Sequence, residues 1–150
     1  MKNQTGKISR VLLAVSLSSL LALVTPQISY ASDAQSMDKL RTAIALLKLS
    51  GEAEDCRSSA NGRYLSKGDS YTITTTLYSG NSYTLVAAGD SSVRDLDIIL
   101  YDENWNEIDK DTQSDALPIV KVSPRWSGTF YIKVKMYRGY GYSNAATCYK

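Results

Sequence analysis

From Asn61 onward, clusters of turn-forming residues interrupt the chain at short intervals, and the stretches between them alternate apolar with polar side chains. The interruptions are Lys67-Gly68-Asp69, Ser79-Gly80-Asn81, Gly89-Asp90-Ser91, Asp102-Glu103-Asn104, Ser123-Pro124 and Gly139 to Gly141. Such segments are too short for ordinary helices, and alternation with a period of two leaves one face apolar, which is the signature of a half-buried strand. Phe130, Ile132, Val134 and Met136 fall on one face, with Tyr131, Lys133, Lys135 and Tyr137 on the other. The predicted strands are Gly62 to Ser66, Ser70 to Leu77, Ser82 to Ala88, Leu96 to Tyr101, Glu107 to Lys110, Ile119 to Val122, Thr129 to Met136 and Ser143 to Tyr149. About eight short strands without intervening helices predict a mainly β protein, an antiparallel β-sandwich of Greek-key or jelly-roll type.

The chain ahead of these strands has a different pattern. Lys2, Lys7 and Arg10 precede an apolar run from Val11 to Val24, and Ser29-Tyr30-Ala31 supplies small residues for a signal peptidase, so residues 1-31 are expected to be a cleaved signal peptide. The apolar run ends at Thr25-Pro26, short of the roughly 20 residues a membrane-spanning helix needs. No other segment could cross a bilayer as a helix. Residues 32-55 read as an N-terminal helix and linker: Met37, Leu40, Ile44 and Leu47 recur on one face, Ser32 with Gln35 or Ser36 with Lys39 following Asp33 can cap the start, and Ser50-Gly51 stops it. The sandwich domain is then 56-150.

Without the leader's three bases, 14 basic residues face 15 acids, so the net charge moves from +2 to about −1 and gives no support for a nucleic-acid partner. Asp90 to Asp115 holds nine acids and two bases, whereas Ala116 to Lys150 holds six bases and no acid, so the two stretches are expected to face each other in the fold. Cys56 and Cys148, the only two cysteines, read as a disulfide in an exported protein. In the chain-entropy treatment, closing so long a loop restricts the unfolded state by about 4 to 5 kcal/mol.

The acidic stretch Asp95 to Asp111 poses a question of charge. Parity places Asp95, Asp97, Ile99 and Tyr101 on one strand face, with Asp95 and Asp97 about 7 Å apart. Adjacent carboxylates must be solvated, ion-paired or neutralised by a cation. Asp95, Asp97, Asp109 and Asp111, with Asp90 as an outlier, are the candidate ligands of a calcium ion, which takes six to eight oxygens. The alternative is pairing of Asp95 and Asp97 with Arg94, Arg125 or Lys133. An EF-hand is excluded, because Asp102-x-Asn104-x-Asn106 lacks the glycine at its sixth position and has Gln113 where the bidentate Glu belongs.

Gly80-Asn-Ser-Tyr-Thr-Leu-Val-Ala-Ala-Gly-Asp90, then Asp95-Leu-Asp-Ile-Ile-Leu-Tyr-Asp102, Ile108-Asp-Lys-Asp111 and Ser127-Gly-Thr-Phe-Tyr-Ile-Lys-Val134 together resemble the bacterial pre-peptidase C-terminal (PPC) domain over about Gly62 to Met136. The resemblance implies a secreted β-sandwich of the kind often appended to peptidases and similar to calcium-binding collagen-binding domains. Trp105 stands where that family's turn usually has glycine, and no peptidase precedes the domain in this sequence.

Catalysis finds little support: the sequence contains no histidine, and oxidised cysteines offer no thiol nucleophile. Trp105 in one turn and Tyr137-Arg-Gly-Tyr-Gly-Tyr142 in a glycine-rich loop suggest binding instead, with Trp105, Arg138, Tyr140 and Tyr142 as candidate contacts. The expected function is a non-catalytic secreted or periplasmic binding or accessory module, with an extracellular protein or polysaccharide as partner. Two alternatives are a structural envelope protein using calcium only for folding, and an inhibitor or chaperone-like partner of an exported peptidase.

Overall fold

A computed structural model describes residues 32–59 and 61–150, so the expected signal peptide lies outside the described residues. Helix α1 (Asp33–Leu49) begins where the sequence predicts, with Ser32 as an extended N-cap whose Oγ accepts the Gln35 N–H at 3.1 Å. Asp33 in its first turn and Lys48 in its last both complement the helix dipole.

Nine strands follow: β1 (Asp55–Ser58), β2 (Arg63–Leu65), β3 (Ser70–Leu77), β4 (Tyr83–Gly89), β5 (Val93–Tyr101), β6 (Glu107–Asp111), β7 (Ile119–Val122), β8 (Gly128–Gly139) and β9 (Gly141–Tyr149). They form two antiparallel sheets. The first has the order β1-β9-β4-β7, with β2 also paired to β9, and the second has the order β3-β8-β5-β6. β1 and β2 pair with successive halves of β9. The pairing is therefore nested: β1/β2 with β9, β3 with β8, β4 with β7 and β5 with β6. That is the topology of a jelly-roll sandwich.

The inward faces of the two sheets meet in a core that includes Leu77, Leu85, Leu96, Ile98, Leu100, Phe130, Ile132, Val134 and Met136. A smaller cluster lies on the other side of the first sheet, where Leu40 and Ala43 of α1 pack on Val86, Ala88 and Ala146. β4 is consequently buried at all seven residues, covered by the helix on one face and the second sheet on the other. This explains why its sequence, Tyr-Thr-Leu-Val-Ala-Ala-Gly, runs almost continuously apolar instead of alternating.

Polar contacts fasten the helix to the sheet. The fully buried Asn144 of β9 donates from Nδ2 to Asp33 Oδ1 and Ser36 Oγ, both at 2.7 Å, and its Oδ1 accepts the Ser59 hydroxyl at 3.1 Å. The Cys56–Cys148 disulfide joins directly opposed residues of β1 and β9. β1 itself was not predicted from the sequence, and β9 starts two residues earlier than expected.

The segment expected to be a glycine-rich loop is instead a corner. β8 belongs to one sheet and β9 to the other, and Tyr140 alone separates them. The flanking Gly139 and Gly141 adopt φ of 98° and 136°, where a side chain would be strained. A Cβ on Gly139 would lie 2.6 Å from the Ser92 carbonyl oxygen, and one on Gly141 would lie 2.4 Å from Asp90 Oδ1. Asp90 is fully buried here, its carboxylate accepting the Ser92 and Tyr142 N–H groups at 2.8 Å each. The substitution Gly141→Ala is therefore expected to cost at least about 2 kcal/mol of unfolding free energy in urea, through backbone strain and displacement of Asp90. A loss below about 0.5 kcal/mol, the size of an ordinary surface substitution, would contradict this account of the corner.

Candidate functional site

The first sheet is covered by α1, whereas among the described residues no helix covers the outer face of the second, although Asp95 and Asp97 at one end of it are buried. Along β5 and β8 the outward residues pair across the strands: Asp97 opposite Lys135, Ile99 opposite Lys133, and Tyr101 opposite Tyr131. The acidic and basic stretches of the sequence do meet, and they meet here. β3 adds Thr72 and Thr74 beside Lys133 and Tyr131, and β6 adds Lys110 beside Ile99.

The β5–β6 turn brings Trp105 onto this face. Asp102 builds the turn: its Oδ1 accepts the N–H groups of Asn104 and Asn106, both at 2.8 Å, and its Oδ2 accepts the Asn106 side-chain amide at 2.9 Å. These bonds, that from the Asn106 side chain foremost, hold the Asp102 carboxyl below its usual range. The turn leaves Trp105 at φ 63°, the single positive φ among the described non-glycine residues. Its indole stacks on Tyr131 with ring centres 4.3 Å apart and planes 7° from parallel, and Tyr101 lies 5.7 Å away. Trp105 nonetheless stays 55% exposed. Lys110, ion-paired with Glu107 at 2.8 Å, borders this platform together with Lys133.

Two opposing contributions of similar size act on Trp105. A left-handed backbone costs a side-chain-bearing residue about 1 to 2 kcal/mol, while an aromatic pair contributes about 0.5 to 1.5 kcal/mol beyond its buried area. The buried half of the indole adds its own apolar burial to the favourable side, so stack and burial together outweigh the strain at a turn where glycine would fit without it. Tyr101 and Tyr131, its partners, were not singled out from the sequence. Parity placed each on an outward face, but only the β5–β8 register sets them side by side.

The other candidate binding residues lie elsewhere. Arg138 is seven residues beyond Tyr131 on β8, roughly 23 Å along the strand, and Tyr140 and Tyr142 continue past the corner. Tyr142 packs edge-on against Tyr64 with ring centres 5.4 Å apart, whereas Tyr140 is 56% exposed. The corner tyrosines and Trp105 thus form two separate surfaces.

The candidate metal ligands are also divided. Asp109 is exposed on β6, its Oδ1 accepting the Lys110 N–H at 2.8 Å. Asp111 uses both oxygens on backbone amides, those of Gln113 at 3.0 Å and Ile119 at 2.8 Å. Asp95 and Asp97 are buried, as their neighbouring positions on one face allow. Asp95 Oδ2 accepts the Ser114 hydroxyl at 3.0 Å, and Ser114 in turn accepts from Arg138 at 3.4 Å, while Asp95 Oδ1 has no hydrogen-bond partner among the described residues. Among the described residues, no three carboxylates or thiols gather closely enough to hold a metal ion. Asp90, the outlying candidate, is committed to the corner.

The fold and its surfaces define the chain as a jelly-roll β-sandwich backed by one helix, with an aromatic and lysine-bearing outer sheet. No family model matches it. Among solved structures it is similar to the crystal structure of Aeromonas hydrophila PliG, a periplasmic lysozyme inhibitor of g-type lysozyme, at 15% identity over 67% of this chain and 90% of that one, with a TM-score of 0.49. Neither a function nor a partner follows from a likeness at that level.

Two outcomes are expected from this geometry. Trp105→Gly relieves the left-handed strain but loses the stack and the buried half of the indole, so its unfolding free energy in urea is expected to fall by about 1 to 2 kcal/mol, leaving the protein folded. Burial, then the charges of Asp95 and Asp111, raise the Asp97 pKa above the usual 3.8 against the pull of Lys135. A raised pKa means that the folded state holds the proton more tightly, so stability is lost as pH climbs from 3.8 through the folded value. With chelator present, Asp97→Asn is expected to melt higher than the parent at pH 7, with the difference shrinking toward pH 4.

Proposed function

We propose that this chain is an exported, non-catalytic binding module that engages a protein partner through the Tyr101–Trp105–Tyr131 platform. One observation carries the reading: a half-exposed tryptophan occupies a strained, left-handed turn position that stacks it on Tyr131 at the surface. Aromatic side chains at the centre of a patch with a polar and charged rim are the usual composition of a protein-binding hot spot. Lys110, Lys133, Glu107 and Thr74 supply that rim. Export is supported by the leader pattern in residues 1-31 and by the Cys56–Cys148 disulfide, a bond that persists in oxidising compartments. A non-catalytic role is supported by a sequence without histidine and by two cysteines both held in that disulfide.

The test compares the parent protein with Trp105→Gly as immobilised bait against three separate samples: a g-type lysozyme, an extract of exported proteins, and insoluble cell-wall polymer. The parent is expected to retain a protein that the variant loses by about thirtyfold in affinity, the scale of a hot-spot residue. Retention of polymer alone, abolished in the variant, would assign the platform to a polysaccharide. Equal retention by the two proteins would remove the platform from the binding surface.

Calcium is a second reading, favoured by the buried Asp95 Oδ1, without a hydrogen-bond partner among the described residues, beside the buried Asp97. These two carboxylates would need carbonyl or water oxygens to complete a calcium shell. On this reading, millimolar calcium raises the melting temperature of the parent at pH 7 and leaves Asp97→Asn unmoved, while identical melts in calcium and chelator count against it.

A further inference from the structure

The two sheets leave strands β1, β2, β3, β6 and β7 each with one unpaired edge among the described residues. An open edge invites pairing with another chain unless it is short, charged or interrupted by proline. β1 and β2 have four and three residues and carry Asp55, Arg57 and Arg63. β7 has four residues, includes Lys121 and follows Pro118. β6 is charged at four of its five positions and lies against β7, where the Ile119 N–H donates to Asp111 Oδ2. β3 has none of these protections. It runs for eight residues, Ser-Tyr-Thr-Ile-Thr-Thr-Thr-Leu, without a charge, a proline or a shift of register against β8.

The sandwich is open beside this strand. A groove of about 740 Å³ lies between Ile73 to Thr76 of β3 and Arg57 to Ser59 at β1, with Tyr83 and Thr147 also in its wall. Among the described residues Arg57 is the one charged side chain lining it. Its guanidinium is exposed and makes no ion pair among the described residues.

We propose that the free edge of β3 and this groove form a strand-addition site for an extended segment of another protein, one that carries a carboxylate against Arg57. In an antiparallel ladder alternate residues turn both N–H and C=O away from the existing partner, so about half of β3 offers backbone bonds to an incoming strand. The groove then receives every second side chain of that strand: Ile73 and Tyr83 suit apolar groups, the threonine hydroxyls suit polar ones, and Arg57 favours an acid. A second copy of β3 fits less well, because Ser70–Leu77 contains no acid to set against Arg57. The site meets the rim of the aromatic platform at Thr74 but uses none of its aromatic residues.

The experiment titrates the isotopically labelled chain with a short peptide alternating threonine and valine and ending in glutamate, and with a counterpart ending in lysine, followed by amide NMR. Shifts are expected along Ser70–Leu77 and at Arg57 to Ser59, with the glutamate peptide bound about fivefold more tightly, the size of an exposed ion pair. The exposed substitution Arg57→Glu is expected to reverse that preference, whereas Trp105→Gly leaves it unchanged. An absence of β3 shifts at millimolar peptide, or equal affinity for both peptides, overturns the proposal. Sedimentation showing a dimer with protected β3 amides in the absence of peptide also overturns it, because the edge would then belong to a second copy.

Discussion

Passage of the chain from one sheet to the other at Tyr140 is the constraint on which the rest of this structure depends. β8 lies between β3 and β5, and β9 lies between β1/β2 and β4, so the two most heavily paired strands of the sandwich are consecutive. Turning within one residue requires left-handed backbone at Gly139 and Gly141 and leaves no room for a side chain at either. The buried carboxylate of Asp90 then holds the corner by accepting two backbone N–H groups. From that point the register of β9 places Asn144 under the helix and Cys148 opposite Cys56.

The acid-rich segment has to be understood in the same terms. Asp90, Asp102 and Asp111 act as acceptors for backbone amides that strand ladders leave unpaired, and an ionised carboxylate is a strong acceptor for such groups. Asp95 and Asp97 differ, because both are buried on a strand face, and at Asp97 burial and then the neighbouring Asp95 charge oppose ionisation. Acidic residues close together in sequence thus serve separate ends: several build turns and a corner, and Asp97 carries an electrostatic cost.

Much of the fold was legible in the sequence because period-two alternation and turn residues report directly on local backbone. Ser70–Leu77 and Ile119–Val122 agree with their predicted bounds, and the Ser32 cap with the Met37, Leu40, Ile44 and Leu47 stripe correctly places α1. β1 was missed because Asp-Cys-Arg-Ser has no apolar alternation: its order comes from pairing with β9 and from the disulfide, both non-local. The corner was read as a loop because glycine at 139 and 141 signals positive φ without saying that long strands lie on either side. Trp105 was identified by its type and turn position, but the platform around it was not. Tyr101 and Tyr131 become neighbours only through the β5–β8 register, which a single sequence does not specify.

The platform and the open edge of β3 occupy one sheet, and the corner ties that sheet to the other through continuous chain. The sandwich is therefore one cooperative body in which both surfaces are held rigidly. Native-state amide hydrogen exchange tests this most directly, since it resolves opening free energies strand by strand. The slowest amides of β8 and β9, on either side of Tyr140, are predicted to share one opening free energy equal to that of global unfolding. Amides of β3, β5 and β8 opening together at a distinctly lower free energy, while β4 and β9 stay protected, would contradict it.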